Sequence, residues 1–153
     1  LVHCNYLSEE DINCIARTGS SVVFCPRSHQ YFFHTNYPLE QLTREGIRIA
    51  IGTDSLASNW SLDMRDELRR LLEFGADYLS SESILDMLTI NGAKSLGWSK
   101  VGRLENGWQA VLVAIRLPPT TIETIDDILR QIAQPGTQNL LTVVAGEIIY
   151  KHN

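Results

Sequence analysis

The sequence predicts an α/β fold in which parallel strands alternate with crossover helices, joined from about residue 102 onward by a smaller layer containing β structure. Short apolar runs closed by Pro or Gly, Val22 to Cys25 before Pro26 and Ile47 to Ile51 before Gly52, alternate with segments whose apolar residues recur at helical spacing. Beyond Gly102 the pattern changes. Ala110 to Ile115 forms an apolar run, Ile125, Ile128, Leu129 and Ile132 fall in helical phase, and Leu140 to Tyr150 reads as a hairpin turning at Gly146-Glu147.

In chain order, Ser8 followed by Glu9, Glu10 and Asp11 has the form of a capping box, which starts a helix running to about Arg17 with Ile12, Ile15 and Ala16 on its buried face. Consecutive acids face different directions on a helix, so this trio caps rather than ligates. Val22 to Cys25 reads as a strand buried on both faces. Arg27 to Tyr37 reads as a polar, aromatic loop, Pro38 as a helix start, and Gly46 as that helix's end. After the Ile47 to Ile51 strand, a loop rich in Ser and Asn leads to a helix with Met64, Leu68, Leu71 and Leu72 on one face. A further helix capped at Ser81 carries Ile84, Met87 and Leu88. Trp60, Trp98 and Trp108 are expected to pack, since no basic partners accompany them.

Composition narrows the function classes. With 153 residues, 13 Lys+Arg against 18 Asp+Glu, a net charge of -5 and 44% hydrophobic residues, the chain suits an ordinary globular domain. A chain of this size buries roughly two thirds of its unfolded surface. The acidic balance, without a basic stripe, argues against nucleic acid or an anionic membrane as partner, and no apolar run approaches the ~20 residues of a spanning helix. Three cysteines, Cys4, Cys14 and Cys25, lack a Cys-x-x-Cys spacing, so a reducing cytoplasm is the expected compartment. Leu1-Val2 reads as the end of a strand, so the chain is expected to begin partway through a longer product.

Several residues could carry chemistry. Asp54 stands where a strand gives way to a loop, after Gly52, which eases a tight turn, and Thr53, whose hydroxyl can orient a carboxylate. Such an Asp can ligate a metal and take a proton from water, and the same local pattern suits an Asp that caps the following turn. His3, also at a strand end, can polarise a reacting oxygen or serve as an ordinary structural histidine. Arg27, Ser28, His29 and His34, interleaved with Tyr31, Phe32 and Phe33, suit either a pocket for a planar polar ligand or a loop that buries its rings. Cys4 and Cys25 sit among apolar residues with no base fixed beside them and read as small core residues.

Taken in order, Val2-His3-Cys4, Val23 to Ser28, Ile47 to Ser55, Thr89 to Gly97 and Gly102 to Gly107 resemble the amidohydrolase superfamily, in the branch of chlorohydrolases and of guanine, cytosine, S-adenosylhomocysteine and aminofutalosine deaminases. The resemblance implies the carboxyl-terminal part of a (β/α)8 TIM-type barrel plus a few strands of a small β-sandwich. Residues 1–101 would supply strands six to eight of the barrel and residues 102–153 a segment of the composite sandwich.

By the same resemblance, Asp54 would bind one divalent metal, zinc first with iron or manganese also suited, and would accept the proton of the attacking water. His3 would hydrogen-bond the attacking hydroxide or the tetrahedral centre, with metal ligation as a second use. Arg27, Ser28, His29 and His34 would line the substrate pocket, with Ser55, Ser58 and Asn59 on the loop beside the metal. A catalytic zinc takes three protein ligands, so the others are expected outside these residues, the 153-residue chain alone is expected to be inactive, and a homo-oligomer is compatible with the longer product. The implied reaction is hydrolytic deamination of a purine or nucleoside-like ring with release of ammonia, its partners being a small-molecule substrate and water. The alternatives are a chlorohydrolase or other amidohydrolase, or a stand-alone binding chain without a metal.

Overall fold

The computed structural model describes residues 1–74 and 78–152. Helix α1 (Glu9–Thr18) opens on the expected capping box: the Ser8 hydroxyl accepts from the Asp11 N–H, and the Asp11 carboxylate accepts from the Ser8 N–H at 2.9 Å. Strand β1 (Ser21–Phe24) and strand β2 (Arg48–Ile51) pair in parallel, with Val22 opposite Ile49 and Phe24 opposite Ile51. On the other edge of β1, Val2 forms a parallel bridge to Val23. Three successive segments therefore run side by side in one direction, and parallel neighbours need crossovers. Helix α1 supplies the first, and α2 (Pro26–Tyr31) with α3 (Leu39–Arg44) supplies the second.

This geometry brings the residues just beyond each segment, His3, Cys25 and Gly52 onward, to the same end of the parallel ribbon. The core lies behind it. Val22, Phe24, Leu39, Leu42, Ile49 and Leu71 are all essentially excluded from solvent. Val23 is only half-buried, so β1 is not enclosed on both faces as its apolar run suggests. Gly52 also differs from expectation. It holds no left-handed turn, and its missing side chain matters because a Cβ there would lie 2.8 Å from Cγ1 of Val23.

Helices α4 (Met64–Glu73), α5 (Ser81–Leu88) and α6 (Ile90–Ser95) come after β2. The α5 cap is Ser80 rather than Ser81, its hydroxyl accepting from the Ser83 N–H at 3.1 Å. Helices α5 and α6 pack on β2, where the Asn91 amide donates to the Ile49 carbonyl at 2.9 Å. The last third forms an antiparallel sheet in the order β3 (Leu112–Arg116), β4 (Gln138–Val144) and β5 (Glu147–Lys151). Helix α7 (Ile125–Ile132), between β3 and β4 in sequence, packs on α4 and α5 and places Leu129 in the same core as Ile84 and Met87.

Two short helices escape a reading of periodicity. Arg27, Ser28 and His29 lie on α2, not in a loop, because Pro26 occupies the first helical position, where its fixed φ suits a helix and its missing donor costs nothing. Helix α6 spans only Ile90–Ser95 and shows no repeat of its own. Trp60 and Trp98 are 64% and 55% exposed, contrary to the expectation that they pack. Among the described residues no helix is long and apolar enough to cross a membrane.

Candidate active site

Asp54 lies just past the end of β2 with a left-handed φ of 58°, and His3 and Cys4 show the same backbone region at 66° and 56°. Non-glycine residues rarely adopt it, at a cost of about 1–3 kcal/mol each. The backbone N–H groups of His3 and Cys4 donate to the carbonyls of Val23 at 2.9 Å and Val2 at 3.0 Å. The Ser28 hydroxyl, from the third residue of α2, and the Ser58 hydroxyl, from the loop after β2, each donate to Oδ2 of Asp54 at 2.7 Å. A hydroxyl has one proton to give, so the 3.1 Å approach of the two serine oxygens is what two donors converging on one acceptor produce. These hydroxyls, Ser58 first and Ser28 second, hold the Asp54 carboxyl below its ordinary value. Asp54 is therefore a carboxylate at neutral pH. Nε2 of His3 stands 3.7 Å from the same Oδ2, and both side chains are partly open to solvent. An ionised carboxylate beside an imidazole edge can accept a proton from water and pass it on.

Thr53 does not orient this carboxylate. Its hydroxyl donates instead to the Asp54 backbone carbonyl at 3.1 Å. Ser55 is exposed, with its hydroxyl accepting from the Ala57 N–H at 3.3 Å. Asn59 is buried and works on the backbone: its amide donates to the Thr53 carbonyl at 2.7 Å and to Oε1 of Glu67 at 2.6 Å, while its Oδ1 accepts from the Trp60 N–H.

The Arg27 guanidinium is committed sideways. It donates to Asp66 and to the Ser61 hydroxyl, each at 3.1 Å, and lies over the Trp60 ring at 5.3 Å. His29 is buried against Phe24 and Tyr37, and its Nδ1 pairs with Oδ1 of Asn5 at 3.0 Å. Since that oxygen only accepts, Nδ1 carries the proton. Burial first, and His34 second, lower the pKa of His29, which favours the neutral ring. His34 pairs through Nδ1 with the Tyr6 hydroxyl at 2.8 Å. The two histidines thus tie the loop after Val2 to the segment after β1.

Of the residues singled out in the sequence, His3, Ser28, Asp54 and Ser58 converge, while Arg27, His29, His34, Ser55 and Asn59 surround them. Asn5, Tyr6, Ser61, Asp66 and Glu67 complete the network and carry no signal in a motif search. Glu67 had one available signal: it lies in phase with Met64 and Leu71, an acid on the apolar face of α4.

Among the described residues no three His, Cys, Asp or Glu side chains converge as a metal site. The donors at Asp54 and His3 suit a divalent ion by type, one carboxylate and one imidazole, and are fewer than the three protein ligands of a catalytic zinc.

A sequence profile of the Amidohydrolase family matches residues 1–149, and the chain belongs to that family. It is 36% identical over 159 aligned positions to a 5-methylthioadenosine/S-adenosylhomocysteine deaminase of Teredinibacter turnerae, covering 98% of this chain and 36% of that protein. Its mixed α/β fold is similar to an adenosine deaminase from Xanthomonas campestris solved with bound zinc, with a TM-score of 0.86 and 29% identity over 98% of this chain and 36% of that one. A Helicobacter pylori aminofutalosine deaminase solved with methylthio-coformycin is similar at a TM-score of 0.81 and 25% identity, over 97% of this chain and 37% of that one. The chain spans about a third of the length of the curated relatives it matches.

Proposed function

We propose that these residues form the carboxyl-terminal part of a metal-dependent aminohydrolase, in which water replaces the exocyclic amino group of a purine nucleoside-like substrate and ammonia leaves. The observation that carries this reading is the Asp54 carboxylate, kept ionised by the Ser28 and Ser58 hydroxyls at 2.7 Å and faced by His3. In this reading residues 1–101 are strands six to eight of a (β/α)8 barrel with their helices, and residues 102–153 belong to a small sandwich.

Asp54, with His3 as a further candidate, would hold one divalent ion whose remaining ligands come from outside these residues. Zinc fits the mixed oxygen and nitrogen donors, as do iron and manganese. Such an ion, when bound, lowers the pKa of water towards ~7. Asp54 accepts the proton that water gives up and returns it towards the departing nitrogen, so that one proton moves for each amine released as ammonia. His3 donates a hydrogen bond to the oxygen being added to the ring carbon. Ser28 and Ser58 keep the Asp54 carboxylate aimed. Arg27, His29, His34, Ser55 and Asn59 shape the wall around them, His29 and Asn59 from behind it.

The substrates to try first are 5′-methylthioadenosine and S-adenosylhomocysteine, for which the 36% identical relative is named. Ammonia release from both is measured on the complete gene product that carries these residues, beside its Asp54→Asn variant. Turnover in the parent and none in the variant is the expected result. Undiminished release by Asp54→Asn would remove Asp54 from the chemistry. Release of chloride from a chlorinated heteroaromatic, with no ammonia from any aminopurine nucleoside, would move the reading to the halide-displacing branch.

A further inference from the structure

Glu67 is a carboxylate fully out of water, on the inward face of α4. A buried carboxylate is costly unless each of its oxygens is hydrogen-bonded, and here both are. Oε2 accepts from the backbone N–H of Arg27 at 3.0 Å, and Oε1 accepts from the Asn59 amide at 2.6 Å. The two partners lie on different segments, and each is next in sequence to a serine that holds Asp54. Arg27 precedes Ser28 on α2, and Asn59 comes directly after Ser58 on the loop after β2. The Asn59 amide also holds the carbonyl of Thr53, the residue before Asp54 itself, at 2.7 Å. Both arms of the network around Asp54 therefore meet at one side chain.

We propose that Glu67 is a positioning residue for Asp54, bracing the first turn of α2 with one oxygen and the loop after β2 with the other, and so keeping the Ser28 and Ser58 hydroxyls on Oδ2. The chemistry requires a carboxylate and not merely a polar group of that shape. A glutamine has one acceptor oxygen, so its NH2 must face either the Arg27 N–H or the Asn59 amide, donor against donor. The importance of a held Asp54 rests on the aminohydrolase reading; the bracing itself does not.

The test observes the serine hydroxyl protons directly by NMR on the complete gene product that carries these residues, without substrate, so its failure is distinct from failure of the ammonia assay. In the parent protein both hydroxyl protons are expected to be protected from exchange, because the serines are buried and each donates to the carboxylate. Glu67→Gln is expected to abolish at least one of the two signals, because one of the two arms loses its acceptor. Leu129→Ala, a core truncation on α7, serves as the control that lowers stability and keeps them. If Glu67→Gln does not fold, Asn59→Ala removes the Oε1 arm together with the bond to the Thr53 carbonyl and is expected to lose the Ser58 signal. Retention of both signals in Glu67→Gln, their loss in Leu129→Ala, retention of the Ser58 signal in Asn59→Ala, or a parent protein with neither proton protected would each overturn the proposal.

Discussion

Ser28 and Asp54 stand 26 residues apart in the chain and 2.7 Å apart in space, the hydroxyl of one helix's first turn resting on the carboxylate that ends the neighbouring strand. The parallel pairing of β1 with β2 creates this contact, because it sets the residues after Phe24 beside those after Ile51. Ser58 reaches the same oxygen from the other side. With the carboxyl held below its ordinary value of 3.8, folding favours the ionised form. The resulting stabilisation is present above that ordinary value and is lost as pH falls through the lower folded-state pKa. Ser58→Ala and Ser28→Ala should each raise the Asp54 pKa, Ser58→Ala by more, and the double variant should raise it furthest. Titration of the Asp54 carboxyl carbon by NMR reads this directly, and a pKa unmoved in the double variant would contradict the assigned contacts.

The three thiols should separate by burial. Cys25 is enclosed behind the end of β1, and burial first, then the Asp54 and Glu67 charges, push its pKa up to about 12. Burial also raises Cys4, which is half-exposed, while Cys14 lies open on α1. The thiolate is the reactive form. Alkylation of the native chain at pH 8, with peptide mass spectrometry as the readout, should therefore mark Cys14 first, Cys4 more slowly, and Cys25 only after unfolding. Prompt labelling of Cys25 in the native chain would show that the end of β1 is open.

Gly102 is required by both backbone conformation and space. Its φ is +98°, and a Cβ there would lie 2.7 Å from the Cα of Ile90, which as backbone cannot swing aside. Gly102→Ala should destabilise the chain by about 1–3 kcal/mol from backbone strain alone, with the clash added. Urea unfolding monitored by circular dichroism checks it. A loss below about 0.5 kcal/mol, the ordinary range for surface changes, would mean that the segment does not sit against the start of α6.

How far the sequence is legible depends on the range of each interaction. Helix α1 is predictable because its capping box and apolar spacing are local, and the position of Asp54 is predictable because an apolar run stops abruptly at Gly52. The hydroxyls that serve Asp54 are not, because Ser28 reaches it only through strand pairing, whereas Thr53, next to it in sequence, turns to the backbone. Glu67 joins Arg27 across 40 residues, so its role becomes visible only in three dimensions. Trp60 defies a composition argument for a similar reason: its cationic partner, Arg27, comes from another segment. Helices α2 and α6, with 6 residues each, are too short to show a period.

Leu129 offers the sharpest test of how the last third of the chain is held. It lies on α7 yet is 1% exposed, packed into the core that holds Ile84 and Met87, and its helix contacts both α4 and α5. The helix reaches this position by its own amphipathic face, and its start is fixed by Thr124, whose hydroxyl accepts from the Asp127 N–H at 3.1 Å. Residues on either side of Gly102 therefore share one apolar interior, although the parallel ribbon and the antiparallel sheet are separate. Leu129→Ala should cost about 2–5 kcal/mol, the lost transfer free energy plus the cavity left behind. If the interior is shared, the loss falls on a single cooperative transition, and tryptophan fluorescence and far-ultraviolet circular dichroism shift together to lower urea. Two transitions, of which only the one reporting the antiparallel sheet moves, would show instead that α7 and its sheet fold as a unit apart from the parallel ribbon.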